Sequence, residues 1–165
     1  MNKDRKMRPK VYLETSVVSY LAARPSRDLV VAANQEVTRE WWANAQERLD
    51  LFLSEIVLKE IAAGDRVAAA ERKRYLVKVP LLPLNLDARA LADRYLAARI
   101  MPAKAATDAL HIALATVHGM DYVVTWNCAH IANALTQKAI ARISSEGGYE
   151  PPVICTPLEL MEDEA

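Results

Sequence analysis

Short apolar runs of β type alternate with longer segments of helical period along nearly the whole chain. The runs are "VYL" at 11–13, "LDLFLS" at 49–54, "VPLLPL" at 79–84, "DYVVTW" at 121–126 and, after the Gly-Gly pair at 147 and 148, "PVICT" at 152–156. The helical segments cover 27–47, 54–63, 66–77, 87–100, 107–118 and 130–143. Parallel strands need crossovers of a dozen or more residues, and helices supply them. Alternation of this kind therefore dictates an α/β chain, a three-layer α/β/α sandwich around a mainly parallel sheet of about five strands. Ser16, Ser54 and Thr107 stand where N-cap hydroxyls are wanted, and Gly64 and Gly119 where helices end. Pro80 and Pro83 bracket the third run and make it an edge strand.

The 165 residues suit a single domain, with a basic extension at 1–9 and an acidic tail at 158–165 as peripheral pieces. Met7 is a second candidate start. Formal charge is zero, so the whole molecule has no field that would gather nucleic acid or acidic lipid, and any such contact must use a local patch. Cys128 and Cys155 are far apart in sequence, which argues against a disulfide framework or a zinc site. No apolar run approaches the ~18 residues of a membrane span, and the expected location is the cytoplasm.

Ligands of open α/β sheets bind beyond the carboxyl ends of the strands. Glu14, Thr15 and Ser16 follow the first run, Ser54 and the helix bearing Glu55 and Glu60 follow the second, and Thr125 and Asn127 follow the fourth. Asp108 opens the helix that leads into the fourth run, so Glu14, Glu60, Asp108 and Asn127 are expected to converge. Three carboxylates without matching cations repel one another, and a divalent cation relieves that repulsion. Mg²⁺ and Mn²⁺ accept oxygen ligands together with several waters, and such sites activate water for attack on phosphodiesters. The start of the first helix, at Thr15 and Ser16, would add backbone N–H groups for a phosphate.

Each residue has a plainer role to weigh. Asp108 suits the helix dipole, Glu60 a solvated face, Asn127 an Asx turn, and Ser16 an N-cap. His111 reads as a core residue, and His118 and His130 have no metal-ligand spacing with it. Trp41 and Trp42 suit core or dimer packing more than base stacking, and "ERKRYLVK" reads as a solvated helix face. The first strand-to-helix turn, "ETSVVS", lacks glycine, which disfavours a dinucleotide-binding domain. A phosphoacceptor domain would want paired acids there and a lysine after the last strand, and both are missing.

Taken together, "YLETSVVSYL", "SEIVLKEI", "ATDALHIALA" and "DYVVTWN" resemble the PIN domain, particularly the VapC-type toxins of bacterial toxin-antitoxin pairs, over roughly residues 11–156. The resemblance implies a Mg²⁺- or Mn²⁺-dependent endoribonuclease of α/β/α fold, a homodimer, with RNA as substrate and a cognate antitoxin as partner. It places Glu14 where the family has its first-strand aspartate, and Glu60 and Asp108 on the family's next acids. Asn127 falls where a fourth acid is common, and Ser16 on a hydroxyl that touches the site. Thr15, Arg24 and Arg27 become phosphate or RNA contacts, the arginines lying in the loop beyond the first helix. Glu14 is one methylene longer than the family's residue and Asn127 has no charge, so weaker ion binding is expected than in a four-acid site. The alternative is a PIN-like domain that binds RNA or protein without cleaving.

Overall fold

The computed structural model describes residues 7–161. The first six residues of the basic extension and residues 162–165 of the acidic tail lie outside them. Five strands form one parallel sheet: β1 (Lys10–Leu13), β2 (Asp50–Ser54), β3 (Leu81–Leu82), β4 (Tyr122–Val124) and β5 (Val153–Cys155), in the order β3-β2-β1-β4-β5. The helices are α1 (Thr15–Ala22), α2 (Leu29–Arg48), α3 (Glu55–Ala62), α4 (Arg66–Tyr75), α5 (Leu86–Ala97), α6 (Ala106–Val117) and α7 (Ala134–Glu146).

Val11, Tyr12 and Leu13 have no exposed surface, as expected for a central strand covered on both faces. β1 pairs with β2 from Lys10 opposite Asp50, and with β4 through Tyr12 opposite Val123. The chain steps outward one way through β1, β2 and β3, then crosses back and steps the other way through β4 and β5. Because such crossovers are right-handed, α1–α4 cover one face and α5–α7 the other. The direction reverses between β1 and β4. A crevice opens at such a switch point beyond the strand ends, which is where α/β sheets bind ligands.

Several boundaries differ from expectation, each for a local reason. Glu14, rather than Ser16, is the N-cap of α1: its side chain folds back and accepts from the Ser16 N–H. Thr107 is not a cap either, because α6 begins at Ala106 out of a 3₁₀ turn at Ala103–Ala105 and has no side-chain cap. The segment expected as a helix from 130 instead begins with a turn, Asn133 caps α7 through the Leu135 N–H, and the helix runs on to Glu146. Pro80 and Pro83 shorten the third strand to two residues at the sheet edge. Ser54 does cap α3. The start of the acidic tail is not loose: Pro157–Leu160 form a 3₁₀ turn closed by a capping box between Thr156 and Glu159.

Asp28 caps α2 by accepting from the N–H groups of Val30 and Val31, at 2.9 and 3.0 Å. Asp28→Ala is expected to lower stability by about 1 kcal/mol, read as a shift of the urea midpoint without change of slope. The loop before α2 is held by the buried amide of Gln35, which accepts from the Ser26 N–H at 2.9 Å and donates to the Arg24 carbonyl at 3.1 Å.

Candidate active site

Glu14 extends the β1 ladder by one residue, its N–H donating to the Val124 carbonyl at 3.1 Å. Strand period two puts its side chain on the same face as Tyr12. Only 5% of it is exposed. A carboxylate so placed needs donors, and Glu14 Oε2 has three: the Ser16 N–H at 3.0 Å, the Ser16 hydroxyl in a very short bond, and the Thr125 hydroxyl at 2.7 Å. The positive end of α1 is thus taken by the chain's own carboxylate rather than left open for a phosphate.

Both hydroxyls pass the network on. Ser16 Oγ accepts from the Trp126 N–H at 2.8 Å, and Thr125 Oγ1 accepts from the Asn127 N–H at 2.9 Å. Asn127 then uses its whole amide. Its Nδ2 donates to Asp108 Oδ1 at 3.2 Å, and its Oδ1 accepts from the His130 N–H at 3.1 Å, a bond one residue longer than the expected Asx turn. His130 closes the arc, with Nδ1 2.8 Å from Asp108 Oδ2.

Glu60 belongs to a neighbouring network. Its Oε1 accepts from the Thr15 hydroxyl at 2.7 Å and meets His111 Nε2 at 2.7 Å. His111 Nδ1 lies 2.6 Å from the Tyr12 hydroxyl, which is 2.8 Å from Ser54 Oγ. The two networks meet through the backbone at Glu14 and Thr15.

Burial alone would raise the pKa of Glu60, but the hydrogen bonds from His111 and Thr15 outweigh it and hold the carboxyl below its ordinary value. A depressed folded pKa stabilises the fold above the unfolded pKa, and that contribution disappears as pH falls through the folded one. The stability gap between the wild type and Glu60→Gln is therefore expected to shrink as pH falls below about 4.5, the ordinary glutamate value, measured by urea unfolding. Burial pushes the Tyr12 hydroxyl up, reinforced by the charges of Glu14 and Glu60 and partly offset by its Ser54 bond. Burial, with the Glu159 charge, also pushes the Cys155 thiol to about 12.

The expected convergence holds in part. Glu14, Asp108, Asn127 and Ser16 share one hydrogen-bonded arc, and Thr15 joins Glu60 beside it. Arg24 and Arg27 are exposed in the loop beyond the carboxyl end of α1, an eight-residue helix about 12 Å long whose amino end holds Glu14. Trp41 is buried and Trp42 packs edge-on to Tyr75, as core residues do. The aromatic next to the acids is Trp126, stacked on Tyr20 at 5.9 Å with its indole N–H on Thr38 at 2.8 Å. His130 and Tyr12 went unnoticed as site groups. For His130, the one available signal is its position three residues after an asparagine that follows a strand, within reach of that side chain.

The acids are hard oxygen donors of the kind Mg²⁺ and Mn²⁺ take. As folded they are not gathered for an ion: among the described residues, no group of three or more His, Cys, Asp or Glu side chains is placed to hold one. Both Asp108 oxygens and one oxygen each of Glu14 and Glu60 are committed to protein partners. The expected three-carboxylate cage is therefore not preformed, and an ion would enter it only by displacing some of these bonds. A cavity of about 820 Å³ lined by Lys10, Asp50 and Asp121 opens at the other end of the strands.

The PIN domain model matches residues 11–127. The chain belongs to the PIN domain family. The fold agrees: this PIN domain superimposes on a chain of the crystal structure of VapBC2 from Rickettsia felis bound to a DNA fragment from their promoter, with a TM-score of 0.59. The match covers 89% of this chain and 98% of that one at 11% sequence identity, a likeness of fold alone. No curated protein sequence matches the chain. No helix among the described residues is long and apolar enough to cross a membrane.

Proposed function

We propose that this PIN domain is a VapC-type toxin that hydrolyses RNA phosphodiesters with Mg²⁺ or Mn²⁺, acts in the cytoplasm as a homodimer, and is restrained by an antitoxin. The observation that carries the reading is the arc joining Glu14, Thr125, Asn127 and Asp108 across the β1/β4 switch point, with Glu60 at its side. Polar side chains are drawn together there from β1, α3, α6 and the segment after β4.

Glu60 is the residue for proton transfer. Its Oε1 is fixed by Thr15 and His111, so the carboxylate is ionised and oriented, and Oε2 takes the proton of a water attacking phosphorus as the bond to the leaving oxygen breaks. Asp108, with Asn127 and His130, sets the opposite wall of the site. No step is assigned to an ion, because the carboxylates are not gathered around one, and weak ion binding by the RNA-free protein is expected.

The same observation favours a second reading, a PIN domain that binds RNA or a protein without cutting, since carboxylates tied down by their own neighbours serve structure as well as chemistry. A cleavage assay on a broad panel of single-stranded and structured RNAs, run with Mg²⁺, with Mn²⁺ and with a chelator, separates the two. Discrete products that vanish with the chelator support the proposal. Binding without products in every condition overturns it in favour of the second reading.

A further inference from the structure

His111 has no exposed surface, yet both its ring nitrogens are within hydrogen-bond distance of a partner, and one of those partners is the carboxylate assigned above to proton transfer. It stands on α6 among Ala109, Ile112 and Ala113, all fully buried, where an apolar side chain would have been the ordinary choice. Resting on the ribonuclease reading, we propose that His111 is a positioning residue: a buried relay from Ser54 through Tyr12 holds its imidazole in the Nε2–H tautomer and aims that hydrogen at Glu60 Oε1, leaving Oε2 for the substrate.

The direction of the relay follows from what each group can donate. An ionised carboxylate only accepts, so His111 Nε2 must carry the hydrogen that meets Glu60 at 2.7 Å. In the neutral ring Nδ1 is then an acceptor, and the Tyr12 hydroxyl, 2.6 Å away, must donate to it. Having committed its hydrogen, Tyr12 accepts from the Ser54 hydroxyl at 2.8 Å. Ser54 in turn accepts from the Val57 N–H as the N-cap of α3.

The relay therefore begins at the amino end of α3 and returns to Glu60 near its carboxyl end. Both ends of one eight-residue helix are tied through the sheet residue Tyr12 and the α6 residue His111. Thr15, on α1, supplies the second bond to Glu60 Oε1. With that oxygen doubly engaged, the carboxylate cannot rotate without breaking two bonds.

Two measurements on the full chain test this. Long-range ¹H–¹⁵N correlation spectra read the tautomer directly. The expected result is His111 protonated at Nε2 only, and a ring protonated at Nδ1 would overturn the relay. Steady-state RNA cleavage then compares His111→Leu, which keeps the volume but has no donor, with His111→Gln, whose terminal amide reaches the Nε2 position and can still donate to Glu60. His111→Leu is expected to lower kcat about 100-fold with KM changed less than about twofold. His111→Gln is expected to recover at least about tenfold of that loss, and Tyr12→Phe to lower kcat about fivefold. Equal kcat losses in the Leu and Gln variants, or an unchanged kcat in the Leu variant, would make His111 a packing residue and overturn the proposal. If the wild type cleaves no RNA, the ribonuclease reading falls by itself and the tautomer alone decides the relay.

Discussion

Asp108→Asn is expected to reduce RNA cleavage by at least about 100-fold while the fold survives. Asparagine keeps the shape and an oxygen able to accept from Asn127 Nδ2, now at 3.2 Å, so the arc between α6 and the segment after β4 stays closed on that side. The negative charge facing His130 Nδ1 at 2.8 Å is lost. In stability the substitution removes a favourable first-turn charge from α6, a helix with no side-chain cap, and that is worth only about 0.3–1 kcal/mol. A large loss of rate beside a small loss of stability is the signature of a site carboxylate. Kinetics and urea unfolding on the same preparation decide it. Cleavage within about twofold of wild type would leave Asp108 with only its helix-dipole role.

The second large effect is on stability. Trp41 on α2 is 1% exposed and one of the largest fully buried side chains. Trp41→Ala is expected to cost about 3–5 kcal/mol through lost transfer energy and the cavity left behind. Against a total stability of about 5–15 kcal/mol, that is a large share, and the variant should unfold at a much lower urea concentration. Trp41→Phe should behave differently. The indole N–H of Trp41 is buried and has no hydrogen-bond partner among the described residues. Removing it relieves an unmet donor worth about 1–3 kcal/mol, which offsets much of the volume lost. Trp41→Phe is therefore expected to stay within about 1.5 kcal/mol of wild type. An equal loss in the two variants would mean that a water serves the indole inside the core.

The layers of the fold were legible because the period of the apolar residues changes from strand to helix and back along the chain. β1, β2 and β4 fall where apolar runs end in polar residues, and Ser54 caps α3 as a hydroxyl there should. The site was legible as a set of positions because α/β sheets concentrate chemistry beyond their strand ends. What sequence alone hid is the way each acid is held. Glu14 as an N-cap contradicts the ordinary preference for short side chains, and it works only because Thr125, 111 positions away, adds a hydroxyl from β4's end. His130 enters because Asn127 bends the chain before α7, which also explains why the expected helix starts late. His111 was read as a core residue, and it is buried. Its partners, Tyr12 and Glu60, are 99 and 51 positions distant, so no local pattern could announce them.

The position of β1 also bears on how the molecule is made. This strand is made before β2 and β4, yet in the finished sheet it lies between them. Glu14 has its Thr125 partner, and Asp108 its Asn127 partner, only when the segment after β4 has emerged. A nascent chain that ends short of that segment can pair β1 with β2 and β2 with β3 but has no second wall to its cleft. Until that segment is made, Glu14 and Asp108 stand without the partners that hold them in the finished fold.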